Sequence, residues 1–260
     1  MRFCSLGSGS GGNASLIEAS QGITRTQLLV DCGFSLRELT RRLARAGSSP
    51  AELDAIFITH EHGDHVGCAL NLAQRYRIPL WTSRGTWRAM GGLPDFDSKL
   101  LHLIKDGESA ELGDIQIQPF AVPHDANEPL HLRCSDGAKS LGLITDLGHP
   151  CASVALALQG CQALLLECNH DEAMLQASNY PFSLKRRILG SHGHLSNASA
   201  AELLRSCLHA GLAHVVAAHL SESNNTPALA AASLAAVMGC RPEAIAVASQ
   251  ALGCDWTQLG

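Results

Sequence analysis

Short apolar runs alternate with amphipathic stretches along the whole chain, regularly enough to predict an order of elements. "QLLVDCG" (27–33) reads as a strand and "LRELTRRLARAG" (36–47) as a helix closed by Gly47. "LDAIFIT" (53–59) predicts a buried strand, "VGCALNLAQRY" (66–76) a helix and "IPLWTS" (78–83) a further strand. A strand-rich zone follows in "DIQIQPFAVPH" (114–124) and "SLGLITDLG" (140–148). In the second half "CQALLLECNHD" (161–171) is a strand ending in polar residues, and "SAAELLRSCLHAG" (199–211) is a helix with Ser199 and Glu202 in capping-box spacing. "HVVAAHLSESNN" (214–225) is a strand, "TPALAAASLAAVMG" (226–239) a helix with Thr226 as N-cap and Pro227 at its first position, and "AIAVASQ" (244–250) the last strand. No low-complexity linker or short-period repeat interrupts the pattern. The expectation is one layered α/β domain over residues 1–260.

The polar clusters fall just after apolar strands: His60 to His65, His124, Asp146, Glu167 to Asp171, and His219. Strand ends gathered along one edge bring loops from distant sequence into a common cleft. The densest cluster is "FITHEHGDH" (57–65), three histidines and two acids following an apolar run. Once buried, each would need a hydrogen-bonding partner or a cation. In an extended segment residues i and i+2 point the same way, so His60 and His62 can grip one ion together. Asp64 and His65 lie at the turn into the next helix and project elsewhere. Splitting the four between neighbouring ions avoids the strain of crowding them on one. His124 can complete the first set and His219 the second, with Asp146 placed to bridge both. Imidazole nitrogen with carboxylate oxygen suits Zn²⁺ foremost, with Mn²⁺ and Fe²⁺ as alternatives. His102, His131, His149, His209 and His214 lack such a context and read as surface or hydrogen-bonded histidines.

Two divalent ions bring four positive charges; Asp64, Asp146 and a bridging hydroxide cancel three. The remainder favours an anionic substrate or transition state, with the bridging hydroxide as nucleophile. Asp64 can orient it as well as bind metal. In-line hydrolysis of a phosphodiester fits, and thioesters and lactones fit too.

Composition adds bounds. With 46% hydrophobic and 17% charged residues the 260-residue chain resembles an ordinary globular protein. A formal charge of −5 gives no global basic field, so any polyanion-binding surface is local. No apolar run is long enough for a bilayer, and the first residues have no export-type apolar region, so a cytoplasmic protein that does not engage membranes is expected. The ten cysteines contain no C-x-x-C pair, which suits reduced, mostly buried thiols. Oligomeric state is not legible.

The set His60, His62, Asp64, His65, His124, Asp146 and His219 resembles the metallo-β-lactamase fold of binuclear hydrolases. The resemblance covers nearly the whole chain and implies an αββα sandwich: two facing mixed sheets with helices outside and the metals at one edge. "GSGSGGNA" (7–14), "VPHDANEP" (122–129), "ECNHD" (167–171), "YPFSLKRRILGSHGHLSN" (180–197) and "AHLSESNN" (218–225) look like the YycJ/WalJ group of bacterial nucleases. That resemblance implies a DNA exonuclease or nuclease.

Phosphodiesterases of this superfamily often pair a histidine with an acid, and Glu167 matches the acid by position. Here His194 precedes a helix whose free N–H groups can hold a phosphate. Glu167 would orient His194, which would stabilise the transition state or protonate the leaving oxygen. His170 would contact substrate or a ligand. Lys185, Arg186 and Arg187 form the densest basic run, readable as phosphate contacts or a solvated helix face. Ser8, Ser10 and Asn13 in the glycine-rich loop either contact phosphate or shape a turn. The leading expectation is therefore a phosphodiesterase acting on DNA. Its rivals are a thioester or lactone hydrolase of the glyoxalase II kind and a metal-stabilised binding module.

Overall fold

The computed structural model describes residues 1–91 and 95–260. Two seven-stranded sheets face each other. The first is built from β1 (Arg2–Gly7), β2 (Ala14–Gln21), β3 (Thr24–Val30), β4 (Ala55–Phe57), β5 (Leu80–Thr82), β6 (Leu101–Leu103) and, at its other edge beside β1, β14 (Cys254–Gln258). The second runs in order from β7 (Ala110–Leu112) through β8 (Ile115–Ala121), β9 (Leu130–Ser135), β10 (Ser140–Ile144), β11 (Ala163–Glu167) and β12 (His214–Ala218) to β13 (Ala246–Val247). Both are mixed. Strands β1 to β3 pair antiparallel and β3 to β6 parallel. Likewise β7 to β10 pair antiparallel and β10 to β13 parallel.

Helices cover the outer faces, so many strands are buried on both sides, which is why they read as unbroken apolar runs. In β11, Ala163 and Leu165 enter the core between the sheets, while Leu164 and Leu166 enter the core under the helices. In β4, Ala55 and Phe57 face the inter-sheet core and Ile56 faces outward. The inner core joins Phe3, Ile17, Leu28 and Phe57 of one sheet to Ile117, Leu132, Leu143 and Val216 of the other. The outer layers are α1 (Leu36–Arg45), α2 (Gly63–Val66), α3 (Ala69–Tyr76) and α4 (Arg84–Ala89) in the first half. In the second half they are α5 (Ala152–Leu158), α6 (Glu172–Ala177), α7 (Phe182–Ile188), α8 (Asn197–Cys207) and α9 (Pro227–Met238). The expected αββα sandwich is the observed fold. No helix among the described residues is long and apolar enough to cross a membrane. The ten thiols are free, and seven of them are buried.

Local differences from the sequence pattern have simple causes. The helix expected over 66–76 is two helices, α2 and α3, broken at Gly67. There φ is +36° and a Cβ would overlap the Cys32 carbonyl oxygen, so only glycine permits the close approach. Helix α8 starts earlier than expected: Ser196 is the N-cap, its side chain accepting from the Ser199 N–H, so Ser199 and Glu202 form no capping box. Thr226 and Pro227 occupy the expected cap and first positions of α9. The "AIAVASQ" strand shrinks to two residues, and β14, which carries no strong alternation, completes the first sheet by pairing with β1.

Gly67→Ala should destabilise the fold by about 3 kcal/mol, through strain and overlap combined. The urea unfolding midpoint measures this, and an unchanged midpoint would refute the close approach.

Candidate metal centre

Parallel strands in both sheets end at the same edge, and the loops leaving them carry the polar clusters. Asp31 follows β3, His60 follows β4, Asp146 follows β10, Glu167 closes β11 and His219 follows β12. Asp31, Asp146 and His219 have left-handed backbones, with φ of +62°, +53° and +55°. Such conformations cost about 1–2 kcal/mol each in non-glycine residues and collect where function demands a particular side-chain direction.

Four overlapping groups of candidate ligand atoms, each group lying within 4.8 Å, converge at this edge. They are His60–His62–His124, Asp64–His65–His219, His60–His65–Asp146, and Asp146–Glu167–His194–His219. All seven ligands expected from the sequence are thus brought together. His60 Nε2 lies 3.1 Å from His62 Nδ1, which lies 3.3 Å from His124 Nε2. Ligands on a tetrahedral zinc with bonds of ~2.1 Å stand roughly 3.4 Å apart, so this triad is spaced for one ion. Burial holds the His60 and His124 imidazoles below the usual histidine range, favouring the neutral form that a metal ligand needs.

The second group is set by carboxylates behind the rings. His65 Nδ1 is 2.8 Å from Asp31 Oδ2, and His219 Nδ1 is 2.9 Å from Glu167 Oε1. A carboxylate partner on Nδ1 fixes that nitrogen as the donor and turns Nε2 toward a metal. His65 Nε2 faces Asp146 Oδ2 at 2.9 Å, while Asp146 Oδ2 and His219 Nε2 are buried without a hydrogen bond among the described residues. Facing lone pairs at that distance require a proton or a cation between them. Burial alone would lower the pKa of His219, but Asp146, Asp64 and Glu167 overcome it and push it up to about 10. For His65 the same opposition, with Asp146 and Asp31 as the carboxylates, also ends in a raised pKa. Carboxylates that favour a charged ring at both positions also favour a divalent cation there.

Asp31 was not among the residues singled out from the sequence. Its signal is the one that marks Asp146, an acid closing an apolar strand ("LLVDCG", "LGLITDLG"). Asp31 also accepts from the Thr59 N–H (2.9 Å) and hydroxyl (3.0 Å), fixing the start of the histidine-rich loop.

The remaining expectations sort by place. Glu167 is fully buried and lies 2.9 Å from His194 Nδ1, as expected; it also accepts from the Leu147 and Leu195 N–H groups (2.8 and 3.1 Å). Burial opposes the Glu167 charge, yet the flanking imidazoles of His194 and His219 hold its carboxyl low. Ser8 and Asn13 lie outside the cleft lining. The Ser8 hydroxyl accepts from the His219 N–H (2.8 Å), and Asn13 Nδ2 lies 3.3 Å from Asp64 Oδ2, so the glycine-rich loop braces candidate ligands. Ser10 does line the cleft. His170 is buried outside the cleft lining, with both ring nitrogens unpartnered among the described residues.

At the α8 N-terminus two of the first-turn donors are already used: the Asn197 N–H donates to the His170 carbonyl and the Ser199 N–H to the Ser196 side chain. The basic run also divides. Arg187 lines the cleft and pairs with Asp125 at 2.6 Å. Lys185 binds the carbonyls of Gln176 and Ser178, and Arg186 is exposed outside the cleft. His131, away from the cleft lining, is buried and accepts weakly from the Thr145 N–H (3.4 Å).

The ligand edge opens into a cleft of about 420 Å³. A family model described as the beta-lactamase superfamily domain matches residues 26–219, which span the strands and loops supplying all seven candidate ligands. The chain belongs to the beta-lactamase superfamily. Among its relatives in that superfamily, the exodeoxyribonuclease WalJ of Streptococcus pneumoniae is 38% identical over 232 residues, covering 88% of this chain and 85% of that protein. The exodeoxyribonuclease YycJ of Bacillus anthracis is 34% identical over 242 residues, covering 92% and 89%. In three dimensions the metallo-β-lactamase fold protein YhfI of Bacillus subtilis superposes with a TM-score of 0.74 at 15% identity, covering 99% of both chains. Like other members of the superfamily the chain is a hydrolase, and its His/Asp cluster suits divalent metal.

Two outcomes test the centre. Asp31→Asn should weaken zinc binding about 10- to 100-fold in chelator competition, because His65 loses its fixed tautomer; an unchanged affinity would remove that role. A raised pKa keeps His219 protonated below about pH 10 in the metal-free chain, whereas a ligand must be neutral. Metal uptake should therefore release protons, and affinity should rise as pH goes from 6 to 9. Calorimetry in buffers of different ionisation enthalpy reads this directly, and uptake without proton release would contradict it.

Proposed function

We propose that the chain, acting as a single domain, is a DNA exonuclease that hydrolyses phosphodiester bonds with two divalent metal ions, zinc foremost. The observation that carries this reading is the Glu167–His194 pair, 2.9 Å apart beside the complete ligand set. The names and coverage of the two exodeoxyribonuclease relatives support it over thioester or lactone hydrolysis.

His60, His62 and His124 would hold one ion, and Asp64, His65 and His219 the other, with Asp146 shared. Bound there, the ions supply positive charge for an anionic ester and bring the pKa of water near neutrality. The protein's own groups do the rest. Asp64, held through its carboxylate by Asn13, is aimed toward His65 and His219 Nε2 (3.6 and 3.8 Å) and can orient the attacking water. His194 lines the cleft, and burial alone would favour its neutral form. The Glu167 and Asp146 carboxylates prevail and raise its pKa, which favours the protonated imidazole. It can therefore donate that proton to the leaving oxygen or stabilise the charge that develops on phosphate. Arg187, which lines the same cleft, offers a guanidinium to the phosphate backbone.

Purified protein with Zn²⁺ or Mn²⁺ should cleave labelled DNA, and Asp64→Ala should abolish cleavage. Thioester cleavage without phosphodiester cleavage would overturn the proposal. His194→Ala should lower kcat on DNA at least about tenfold with little change in KM; a smaller loss would remove its catalytic role. Arg187→Ala should reduce the salt dependence of DNA binding by about one unit of log–log slope, whereas Arg186→Ala should leave it unchanged.

A further inference from the structure

One wall of the cleft differs in chemistry from the ligand edge. Tyr180 precedes α7, and Leu184, Arg187 and Ile188 lie at successive positions along its cleft-facing side. No residue of α7 is buried, so the helix adds no fully buried side chain to either core, and its apolar side chains are not explained by folding. Phe182 is 79% exposed and Leu189 51%, continuing the apolar surface along the same segment. The helix is nevertheless fixed relative to the ligands. Arg187 pairs with Asp125, the neighbour of His124, and Lys185 ties the helix to the carbonyls of Gln176 and Ser178. The Tyr180 side chain makes no hydrogen bond among the described residues, leaving its ring and hydroxyl available to a ligand.

The cleft is thus two-sided, with ionisable groups able to hold cations on one wall and an aromatic ring flanked by leucine and isoleucine on the other. A ligand matching both has an anionic ester at one end and a flat, weakly polar ring at the other. A volume of about 420 Å³ lies at the small end of ligand sites and suits one such unit rather than a length of duplex. We propose that the cleft accepts a single terminal nucleotide, with its base held against Tyr180, Leu184 and Ile188 while its phosphate faces the ligand edge. This rests on the nuclease reading above and adds a specificity element to it. Base–aromatic stacking tolerates every base, so the wall selects for the presence of a base and not for its identity.

The test compares oligonucleotides ending in a normal nucleotide with the same strands ending in an abasic residue. The wild-type protein should prefer the base-bearing end by about tenfold in kcat/KM, mostly through KM. Tyr180→Ala should reduce that preference to under about threefold, and Tyr180→Phe, which keeps the ring, should retain it. Leu184→Ala should reduce it partway and provides an independent reading if Tyr180→Ala does not fold. DNA cleavage with no preference in the wild-type protein, or with a preference unchanged in both alanine variants, would overturn the base-holding wall and leave the nuclease reading intact. Failure to cleave any DNA with Zn²⁺ or Mn²⁺ would overturn both.

Discussion

Buried imidazoles backed by buried carboxylates are the constraint on which this structure depends. Asp31 stands behind His65, and Glu167 stands behind both His219 and His194. Each carboxylate is taken out of water at a cost that only close hydrogen-bonding partners offset. Asp31 finds them in Thr59 and His65, and Glu167 in two backbone N–H groups and two histidines. Each carboxylate finds these partners within its own half of the sandwich, and the two halves meet where His65 Nε2 faces Asp146 Oδ2 at 2.9 Å. The same contacts decide which imidazole nitrogen is left for a metal.

The architecture brings this about with its strand ends. In both sheets the parallel half points its carboxyl ends to one edge, and the acids and histidines follow there. The left-handed backbones at Asp31, Asp146 and His219 turn their side chains inward at that edge. Local strain is tolerated because the strands beneath are buried on both faces and cannot shift. Beside this rigid edge sits α7, a helix without a buried residue, tied to it by the Arg187–Asp125 pair and by the His194 N–H on the Ile188 carbonyl. A rigid chemical centre thus faces a wall whose side chains are free to be shaped by what binds.

Much of the centre was legible because ligand chemistry leaves a dense local signal. "HEHGDH" puts four candidate ligands into six residues, and His124, Asp146 and His219 each stand alone after a strand. The Glu167–His194 pair was legible through family resemblance and position. Asp31 was missed although its strand-end pattern matches that of Asp146, because a single acid also fits a turn. For Ser8 and Asn13 the sequence left phosphate contact and a structural turn both open, since a glycine-rich loop shows what its backbone can do but not which neighbour uses it. At the α8 N-terminus, too, Ser196 and the His170 carbonyl each take one of the helix's first-turn donors, and the latter comes from another loop.

The sequence by itself determined the layered fold and the candidate ligands and favoured an anionic substrate, because hydrophobic period and ligand type are local properties of residues. Only tertiary structure decided which nitrogens face the centre, that Ser8 and Asn13 brace it, and that Arg187 alone of the basic run reaches the cleft. These depend on partners distant in the chain: Ser8 meets His219, Asn13 meets Asp64, and Arg187 meets Asp125. Hydrogen-bond direction and burial are properties of such pairs, and no single segment carries them.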